Sequence, residues 1–324
     1  MARNDLPAYH FVQKGGKFFN MSFEHVFEQL EIETDPFAVC ELRGKCDLSM
    51  GRDANASLHY ILTGEGALMI PGAAEIRVAP GSLVLIPALQ SHALRSFGTS
   101  GDSSLQCDAA ELKLKHLLKT DQPGSGQGQV TALCSHIKVG LRGAVDVIDL
   151  IRDPIVEQIG AHSSMHPTLR LLLHELSHPT LGSRAMIRAL LTQCVIEMLR
   201  SRLIREDGGL RWMAALRDPS VWQALCAMLD EPGAPHSVES LADKVGMSRS
   251  AFAERFASAY GSGPIELLRE LRMRRAAKLL RDSELPVKRV AQLVGFNSRT
   301  AFSRVFEQSS GLSPSDYRRQ AGEQ

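Results

Sequence analysis

The sequence predicts an α+β chain of two domains, with a β-barrel or sandwich in the N-terminal half and an all-α domain at the C-terminus. Three observations predict this class. Short runs rich in β-branched and apolar residues, divided by Gly and Pro, occupy the first part of the chain. Apolar residues at helical spacing follow them. The last third then contains one helix-turn-helix pattern twice.

Length and charge support the division. The 324 residues are 44% hydrophobic, enough to fill two cores. The Pro/Gly-rich stretch "DEPGAPHS" marks a boundary near residue 234. From there to the end the chain has 15 Lys and Arg against 10 Asp and Glu, and before it 22 against 26. This asymmetry predicts a polyanionic partner for the C-terminal domain alone.

The internal repeat is the strongest signal. Residues 238–264 align with residues 287–314 when one residue, Asn297, is treated as an insertion. The second copy repeats, at matching positions, Val238, Ala242, Val245, Gly246, Ser248, Arg249, Ala251, Phe252, Phe256, Gly261 and Pro264. Such a register indicates two copies of one structural unit.

Each copy predicts a helix, a tight turn and a second helix. Gly246 and Gly295 follow the first helices, where a left-handed residue costs little only if it is glycine. Ser248 and Ser298 stand where a hydroxyl caps the second helix. Pairs of phenylalanines four residues apart then face inward. The pattern is that of a helix-turn-helix motif.

The outward residues of the two second helices are the predicted contacts to DNA, because arginine pairs with the guanine edge and Ser or Thr reach bases or phosphates. In the first copy these are Arg249, Ser250, Ala253 and Glu254, and in the second copy Arg299, Thr300, Ser303 and Arg304. The second copy is predicted to be the better reader, since Ala253 and Glu254 offer little to DNA. A solvated face on an ordinary helical bundle, as in a protein-binding adaptor, is the alternative.

The segment between the copies, "SGPIELLRELRMRRAAKLLRDSELP", alternates apolar and basic residues as a long amphipathic helix. A rod of roughly 18 residues at ~1.5 Å each spans ~30 Å, close to the ~34 Å of one DNA turn. The two reading helices are therefore predicted to enter successive major grooves on one face of the duplex.

The chain resembles the AraC/XylS family of transcription regulators through "SVESLADKVGMSRSAFAERF", "LLRELRMRRAAKLL" and "VKRVAQLVGFNSRTAFSRVFEQSSGLSPSDYRR". The resemblance covers about the last ninety residues. It implies a seven-helix DNA-binding domain. By position, it implies that the base-facing residues are Ser250, Ala253, Glu254, Arg299, Thr300, Ser303 and Arg304.

The N-terminal strands carry a second, fainter resemblance. "GSLVLIPALQSH" is similar to the second cupin motif, and "LHYILTGEG" is similar to the end of the first. Together they imply the cupin-type sensor domain of a subgroup of the same family. His59 and His92 are then expected to line an effector pocket, with an ordinary structural role as the alternative for each.

A metal in this barrel is not expected. His59, Glu65 and His92 would form a ligand triad suited to ferrous iron. However, Glu65 lies between two glycines, at a predicted hairpin tip away from the interior. Aligning those glycines with the motif places Met50 and Arg52 where metal cupins have histidines.

The segment "SRAMIRALLTQCVIEMLRSRLIRED" has an apolar stripe at helical spacing. The stripe consists of Ile187, Leu190, Leu191, Cys194, Val195, Met198 and Leu199. It suits packing on the barrel or on the same helix of a second chain. The family resemblance favours a homodimer, and an intradomain core is the alternative.

The stretch His174-Glu175-Leu176-Ser177-His178 has the spacing of a zinc-protease helix, and Glu197 stands 19 residues later as a candidate third ligand. Pro179 follows directly and predicts that the helix ends there. Catalysis is therefore not expected. Histidines on a solvated helix face are the favoured interpretation, with a regulatory or adventitious metal site as the alternative.

The predicted organisation is a flexible extension over residues 1–20, a cupin-like sensor over 21–142, a helical dimerisation and linker segment over 143–233, and a DNA-binding domain over 234–324. The cysteines form no CxxC pair and are predicted to be mostly reduced and buried. No apolar stretch of signal-peptide or membrane-span length is present, which predicts a cytoplasmic protein.

The expected function is sequence-specific transcription regulation without a cofactor. The expected partners are promoter DNA, a small-molecule effector, a second copy of the chain and RNA polymerase, with no membrane partner. A metal-dependent enzyme, either a zinc hydrolase or a cupin metalloenzyme, is the alternative function.

Overall fold

The computed structural model describes residues 9–13, 17–21, 30–35, 37–98, 103–110, 129–141, 145–146, 150–205 and 218–322. The chain forms two compact units. The strand-rich unit comprises residues 32–139 and 152–204. The helical unit comprises residues 205–324 together with 140–151 and the first 31 residues. The segment 143–233, predicted as one piece, is thus divided between the two units.

The described strands number fourteen. They are β1 Tyr9–Gln13, β2 Lys17–Met21, β3 Leu30–Thr34, β4 Ala38–Arg43, β5 Asp47–Met50, β6 Ala56–Thr63, β7 Gly66–Met69, β8 Ile76–Val78, β9 Ser82–Ile86, β10 His92–Ser96, β11 Ser104–Ala109, β12 Gln129–Leu141, β13 Val145–Asp146 and β14 Ile155–Gln158. The strands β1 and β2 pair as an antiparallel hairpin within the stretch predicted as a flexible extension.

Two antiparallel sheets build the strand-rich unit. The larger has the order β11-β4-β12-β6-β9-β14, with β3 beside β12, and the smaller has the order β5-β10-β7-β8. Apolar side chains of both sheets share one core, to which the larger contributes Leu42, Ile61 and Val84 and the smaller Leu68 and Leu94. The fold is therefore the predicted cupin-like arrangement of two facing sheets.

Two helices, α1 Met165–Ser177 and α2 Ser183–Arg205, cover the other face of the larger sheet. Side chains of both layers line a narrow apolar space: Leu58, Tyr60, Leu83 and Leu133 from strands, and Leu169, Leu172, Leu191, Cys194, Val195 and Met198 from helices. The α2 stripe from Leu190 to Leu199 is buried by its own chain. The stripe therefore packs on its own sheet, which is the alternative that the sequence left open beside a dimer interface.

A buried ion pair fastens α2 to the edge strand. The Arg202 Nε donates to Glu157 Oε1 at 2.7 Å, and Arg202 Nη2 donates to the Val156 carbonyl at 2.6 Å. Glu157 is buried, at 2% exposure. The guanidinium compensates the charge of a carboxylate that is shielded from water. Removing either partner would leave the other charge uncompensated in the interior, which lowers stability.

The helices described after residue 218 are α3 Pro219–Asp230, α4 Val238–Lys244, α5 Arg249–Tyr260, α6 Pro264–Asp282, α7 Val287–Leu293, α8 Arg299–Ser310 and α9 Pro314–Gly322. Residues 218–322 therefore form the predicted all-α region of this unit. Its phenylalanines pack inward: Phe252, Phe256, Phe302 and Phe306 are fully buried. Leu267, Leu271 and Leu280 of α6 complete the core between the two repeats.

A disulfide joins Cys40 on β4 to Cys107 on β11, with Cα atoms 4.1 Å apart. The two residues face each other in the register of these strands. The prediction of a reduced cysteine is wrong for this pair, because a sequence separation of 67 residues does not show which strands become neighbours. Cys134, Cys194 and Cys226 are free and buried, as predicted. No helix in the described ranges has the length and apolar character needed to cross a bilayer.

Removing the charge that neutralises Glu157 tests the packing of α2. We expect Arg202→Ala to lower the free energy of unfolding of the strand-rich unit by about 3 kcal/mol, since a buried carboxylate loses the guanidinium that neutralises it. Arg188→Ala, on the exposed side of the same helix, is the control and should stay within about 0.5 kcal/mol of wild type. Urea unfolding followed by circular dichroism measures both. Equal effects of the two substitutions would contradict a specific role for the ion pair.

Candidate nucleic-acid interface and effector site

The two helix-turn-helix units form where the repeat predicts them. Ser248 Oγ accepts a hydrogen bond from the Ala251 amide, and Ser298 Oγ accepts from the Ala301 amide, each at 3.3 Å. The turns contain Gly246 at φ 67° and Gly295 at φ 81°. Both second helices, α5 and α8, therefore begin with a capped N-terminus and the same inward face.

The predicted DNA contacts lie on the outer faces of α5 and α8. Arg249, Ser250, Glu254, Arg299, Thr300 and Arg304 are exposed, and Ala253 and Ser303 are half-buried. The guanidinium groups of Arg299 and Arg304 make no hydrogen bond or ion pair with any residue that the structure describes. On α8, therefore, two arginines flank Thr300 and Ser303 with their donors available to a ligand.

Several other arginines of the helical unit have internal roles instead. Arg318 of α9 donates to the carbonyl oxygens of Leu280 and Leu285, at 3.3 and 2.5 Å. Arg255 pairs with Asp218, the residue that caps α3. In α6, Arg269 and Arg275 are exposed, whereas Arg274 is buried and Arg272 is half-buried.

The buried position of Arg274 was detectable in the sequence. It stands three residues after Leu271 and three before Ala277, on the apolar face of the helix. Its guanidinium donates to the Ile151 carbonyl at 3.4 Å. The basic excess of the C-terminal third therefore overstates the charge that is available to a polyanion.

In the strand-rich unit, His59 of β6 and His92 of β10 meet between the two sheets. Their Nε2 atoms are 3.0 Å apart, and both side chains are buried. His59 Nδ1 is 3.1 Å from Cys134 Sγ, and His92 Nδ1 is 3.1 Å from the Gln90 carbonyl oxygen. Both predicted effector residues are thus brought together in the interior.

These contacts define the protonation of the pair. A carbonyl only accepts, so His92 carries its proton on Nδ1 and its Nε2 accepts from His59 Nε2. His59 Nδ1 then accepts from the Cys134 thiol, whose pKa burial raises to about 12. Burial lowers the pKa of His59 to about 3, with a further contribution from His92, and burial also lowers the pKa of His92. Both imidazoles are therefore neutral at pH 7.

Further polar groups lie at the same end of the unit. Asn55 precedes β6 on the face of His59, and His136 of β12 faces Ser57 in the strand register. Asn55 Oδ1, Gln90 Oε1 and His136 Nδ1 are buried atoms without a hydrogen bond to any described residue. Unpaired buried acceptors cost free energy unless a ligand or solvent group donates to them.

The candidate metal triad does not come together. Glu65 is exposed in the loop between β6 and β7, as predicted, while His59 and His92 are interior. Met50 lies opposite His92 on β5. Across the described ranges, no three His, Cys, Asp or Glu side chains form a cluster that could hold a metal ion.

The His174–His178 stretch lies at the end of α1, which stops at Ser177 before Pro179, as predicted. Both imidazoles are exposed and stack with ring centroids 5.0 Å apart. Glu175 accepts from Ser183 Oγ at 2.6 Å. Glu197 accepts from Ser164 and from Gln193, on α2. The two carboxylates therefore serve as internal acceptors and do not join the histidines.

Comparisons with known proteins agree with both units. A cupin family model matches residues 22–203, more than half of the chain, and a helix-turn-helix domain model matches residues 241–320. The HTH-type transcriptional regulator AlkR of Acinetobacter baylyi is 26% identical over 310 residues, covering 91% of this chain and 98% of that protein. MtrA of Neisseria gonorrhoeae, also an HTH-type transcriptional regulator, is 26% identical over 82% of this chain and 87% of its own length.

Among solved structures, the DNA-binding domain of AdpA in complex with a target DNA is 34% identical, covering 31% of this chain and 91% of that one, at a TM-score of 0.30. The full-length relatives are transcription regulators, and the enzyme alternative finds no support among them. The chain belongs to the AraC family of helix-turn-helix transcription regulators, with a cupin domain preceding its DNA-binding domain.

Proposed function

We propose that the regulator binds its operator with α5 and α8 in two successive major grooves. The observation that carries the proposal is the duplicated unit, whose second helices are capped alike by Ser248 and Ser298 and which is joined by the single helix α6 of 19 residues. At ~1.5 Å per residue this helix spans ~28 Å, which is near the ~34 Å repeat of B-DNA.

The two reading helices contribute unequally in this proposal. α8 offers Arg299, Thr300, Ser303 and Arg304, whereas α5 offers Arg249 and Ser250 followed by Ala253 and Glu254. Arginine donates twice to guanine, while a carboxylate only accepts and is repelled by phosphate. Base selectivity therefore comes mainly from α8, and α5 contributes position along the duplex.

A footprint on the operator tests this arrangement. We expect protection of two segments about ten base pairs apart on one face of the duplex. Protection of a single groove, or none, would contradict the proposal.

Truncation of the α8 arginines tests the assignment of contacts. We expect Arg299→Ala and Arg304→Ala each to reduce operator affinity by about 1–3 kcal/mol, with relaxed base preference at the contacted position. Arg188→Ala, exposed on the strand-rich unit, should leave affinity unchanged. Gel-shift titrations at constant salt measure all three. Unchanged operator affinity in both α8 variants would indicate that the helical repeat binds protein instead.

We infer that the effector binds beside His59 and His92, at the end of the sandwich where Asn55 Oδ1 and Gln90 Oε1 have no hydrogen-bond partner among the described residues. The two amide oxygens, beside imidazoles that are neutral and internally hydrogen-bonded, suit an uncharged or weakly charged compound that donates hydrogen bonds. Such a compound alters transcription only if it binds two arrangements of the protein with different affinity. Operator affinity measured with compounds related to the footprinted genes tests this, and a response unchanged by Gln90→Ala would contradict the location.

A second copy of the chain and RNA polymerase complete the proposal. Because the α2 stripe is internal, a dimer requires another surface. Leu171, Leu181 and Met186 are exposed apolar residues on and between α1 and α2, and they suit such a contact. Sedimentation equilibrium of the wild type and of Leu181→Lys tests the surface. An unchanged mass distribution would rule it out.

The neutral histidine pair predicts an acid sensitivity of the strand-rich unit. The pKa of His59 is 6.5 in the unfolded chain and about 3 in the fold. The stability that depends on its neutral imidazole is therefore fully present above pH 6.5. It is lost as the pH falls toward 3, at about 1.4 kcal/mol per pH unit for each such histidine. Urea unfolding between pH 7 and pH 5 should therefore show stability decreasing with acid, and His59→Gln should reduce the slope. A slope that His59→Gln leaves unchanged would contradict the buried neutral state.

A further inference from the structure

The turn that leads into the first helix-turn-helix unit rests on the turn of the second. A Cβ on Gly233 would lie 2.0 Å from the Leu293 carbonyl oxygen, at the end of α7. A Cβ on Gly295 would lie 2.8 Å from the Gly233 carbonyl oxygen. These separations are shorter than any Cβ contact with backbone allows, so the two glycines permit a close approach of two backbone segments.

Arg272 of α6 fastens this contact. Its Nε donates to the Pro232 carbonyl at 2.7 Å, and its Nη2 donates to the Ala234 carbonyl at 2.8 Å. The guanidinium lies directly against Gly295, where a Cβ would meet Nη2 at 2.7 Å. Burial lowers the pKa of Arg272, yet a guanidinium stays charged at neutral pH. One side chain thus joins α6, the entrance turn of the first unit and the turn of the second.

The contact of Arg272 with the two turns restricts the angle between the two units, which α6 alone does not restrict. A helix of this length sets the separation of the two units, but each unit is joined to it through a short non-helical segment, residues 261–263 and 283–286. Rotation about those segments would change the angle between α5 and α8 at constant separation. Two modules on a stiff connection gain affinity from one another only if their geometry matches both sites at once.

We propose that Arg272, seated between Gly233 and Gly295, is a positioning residue that sets the orientation of α5 relative to α8 and so determines which half-site spacing the protein accepts. Its Nε and Nη2 donate to backbone carbonyls, and it lies outside the set of proposed DNA contacts on α5 and α8. The inference rests on the proposed function, because orientation matters only if both helices enter the duplex.

The test compares two duplexes, one with the complete footprinted operator and one with the α8 half-site alone. The variants are Arg272→Ala, Arg272→Lys and Gly233→Ala. Gly160→Ala, in the strand-rich unit, is the control, because a Cβ there meets nothing within 4 Å and the backbone has no positive φ. Circular dichroism and thermal unfolding establish that each variant is folded.

We expect Arg272→Ala and Gly233→Ala to bind the complete operator about tenfold more weakly, as when the competent orientation is populated in about a tenth of molecules. Their affinity for the half-site should stay within about twofold of wild type. Arg272→Lys should be intermediate, since an ammonium retains one of the donors, and Gly160→Ala should match wild type on both duplexes. Moving the half-sites apart by one or two base pairs should reduce the operator affinity of the wild type more than that of Arg272→Ala.

Equal losses on the two duplexes would show a general effect on folding and overturn the positioning role, as would unchanged affinity for the complete operator. If Gly233→Ala does not fold, Arg272→Lys carries the same comparison, because its stem preserves the packing. A wild-type protein with no affinity gain for the complete operator over the half-site would overturn the two-groove proposal itself. That result differs from one in which the wild type gains affinity from the complete operator but the Arg272 variants do not differ from it, which would overturn the positioning role alone.

Discussion

Burial of a phenylalanine pair in each repeat is the constraint on which the DNA-reading surface depends. Phe252 with Phe256, and Phe302 with Phe306, have ring centroids 5.7 and 5.6 Å apart and no exposure to solvent. Because residues four apart share a helix face, burying these rings turns the intervening positions outward. Arg304, which lies between the two rings of α8, is exposed for this reason, and Arg299 is exposed at the first position of the helix. The chemistry of the interface is thus a consequence of core packing.

Arginine serves two different ends in the helical unit. Arg299 and Arg304 extend into solvent, whereas Arg272 and Arg318 cap backbone carbonyls where helices and turns meet. A guanidinium suits the second task because its planar donors satisfy two carbonyl oxygens at once without losing charge. Formal charge therefore identifies the kind of partner, while the distribution of hydrogen bonds decides which residues are available to it.

The strand-rich unit combines an apolar core with a short polar chain that runs from Cys134 through His59 and His92 to the Gln90 carbonyl. Each histidine donates once and accepts once, the Cys134 thiol donates and the Gln90 carbonyl accepts, so both imidazoles are satisfied without any net charge. The chain also joins β6 of one sheet to β10 of the other. Its polar character leaves one end of the sandwich receptive to hydrogen bonds, next to the unpaired atoms of Asn55 and Gln90.

The sequence by itself determined the helical unit almost completely, because its structure follows from local rules. Capping serines, turn glycines and four-residue apolar spacing act within a few residues of one another, and each of these signals occurs in both copies of the repeat. The cupin strands from Ala38 to Ile86 were also detectable, since Gly and Pro interrupt them. By contrast, Leu30–Thr34, Ser104–Ala109 and Ile155–Gln158 have no equally clear local pattern.

Only the tertiary structure decided which distant groups meet. Strand register brings Cys40 to Cys107 and His59 to His92, and sheet packing assigns the α2 stripe to the interior of its own chain. The joining of Gly233, Arg272 and Gly295 likewise depends on how helices cross. Such contacts depend on which segments become neighbours in space, and neither spacing nor composition along the chain carries that information.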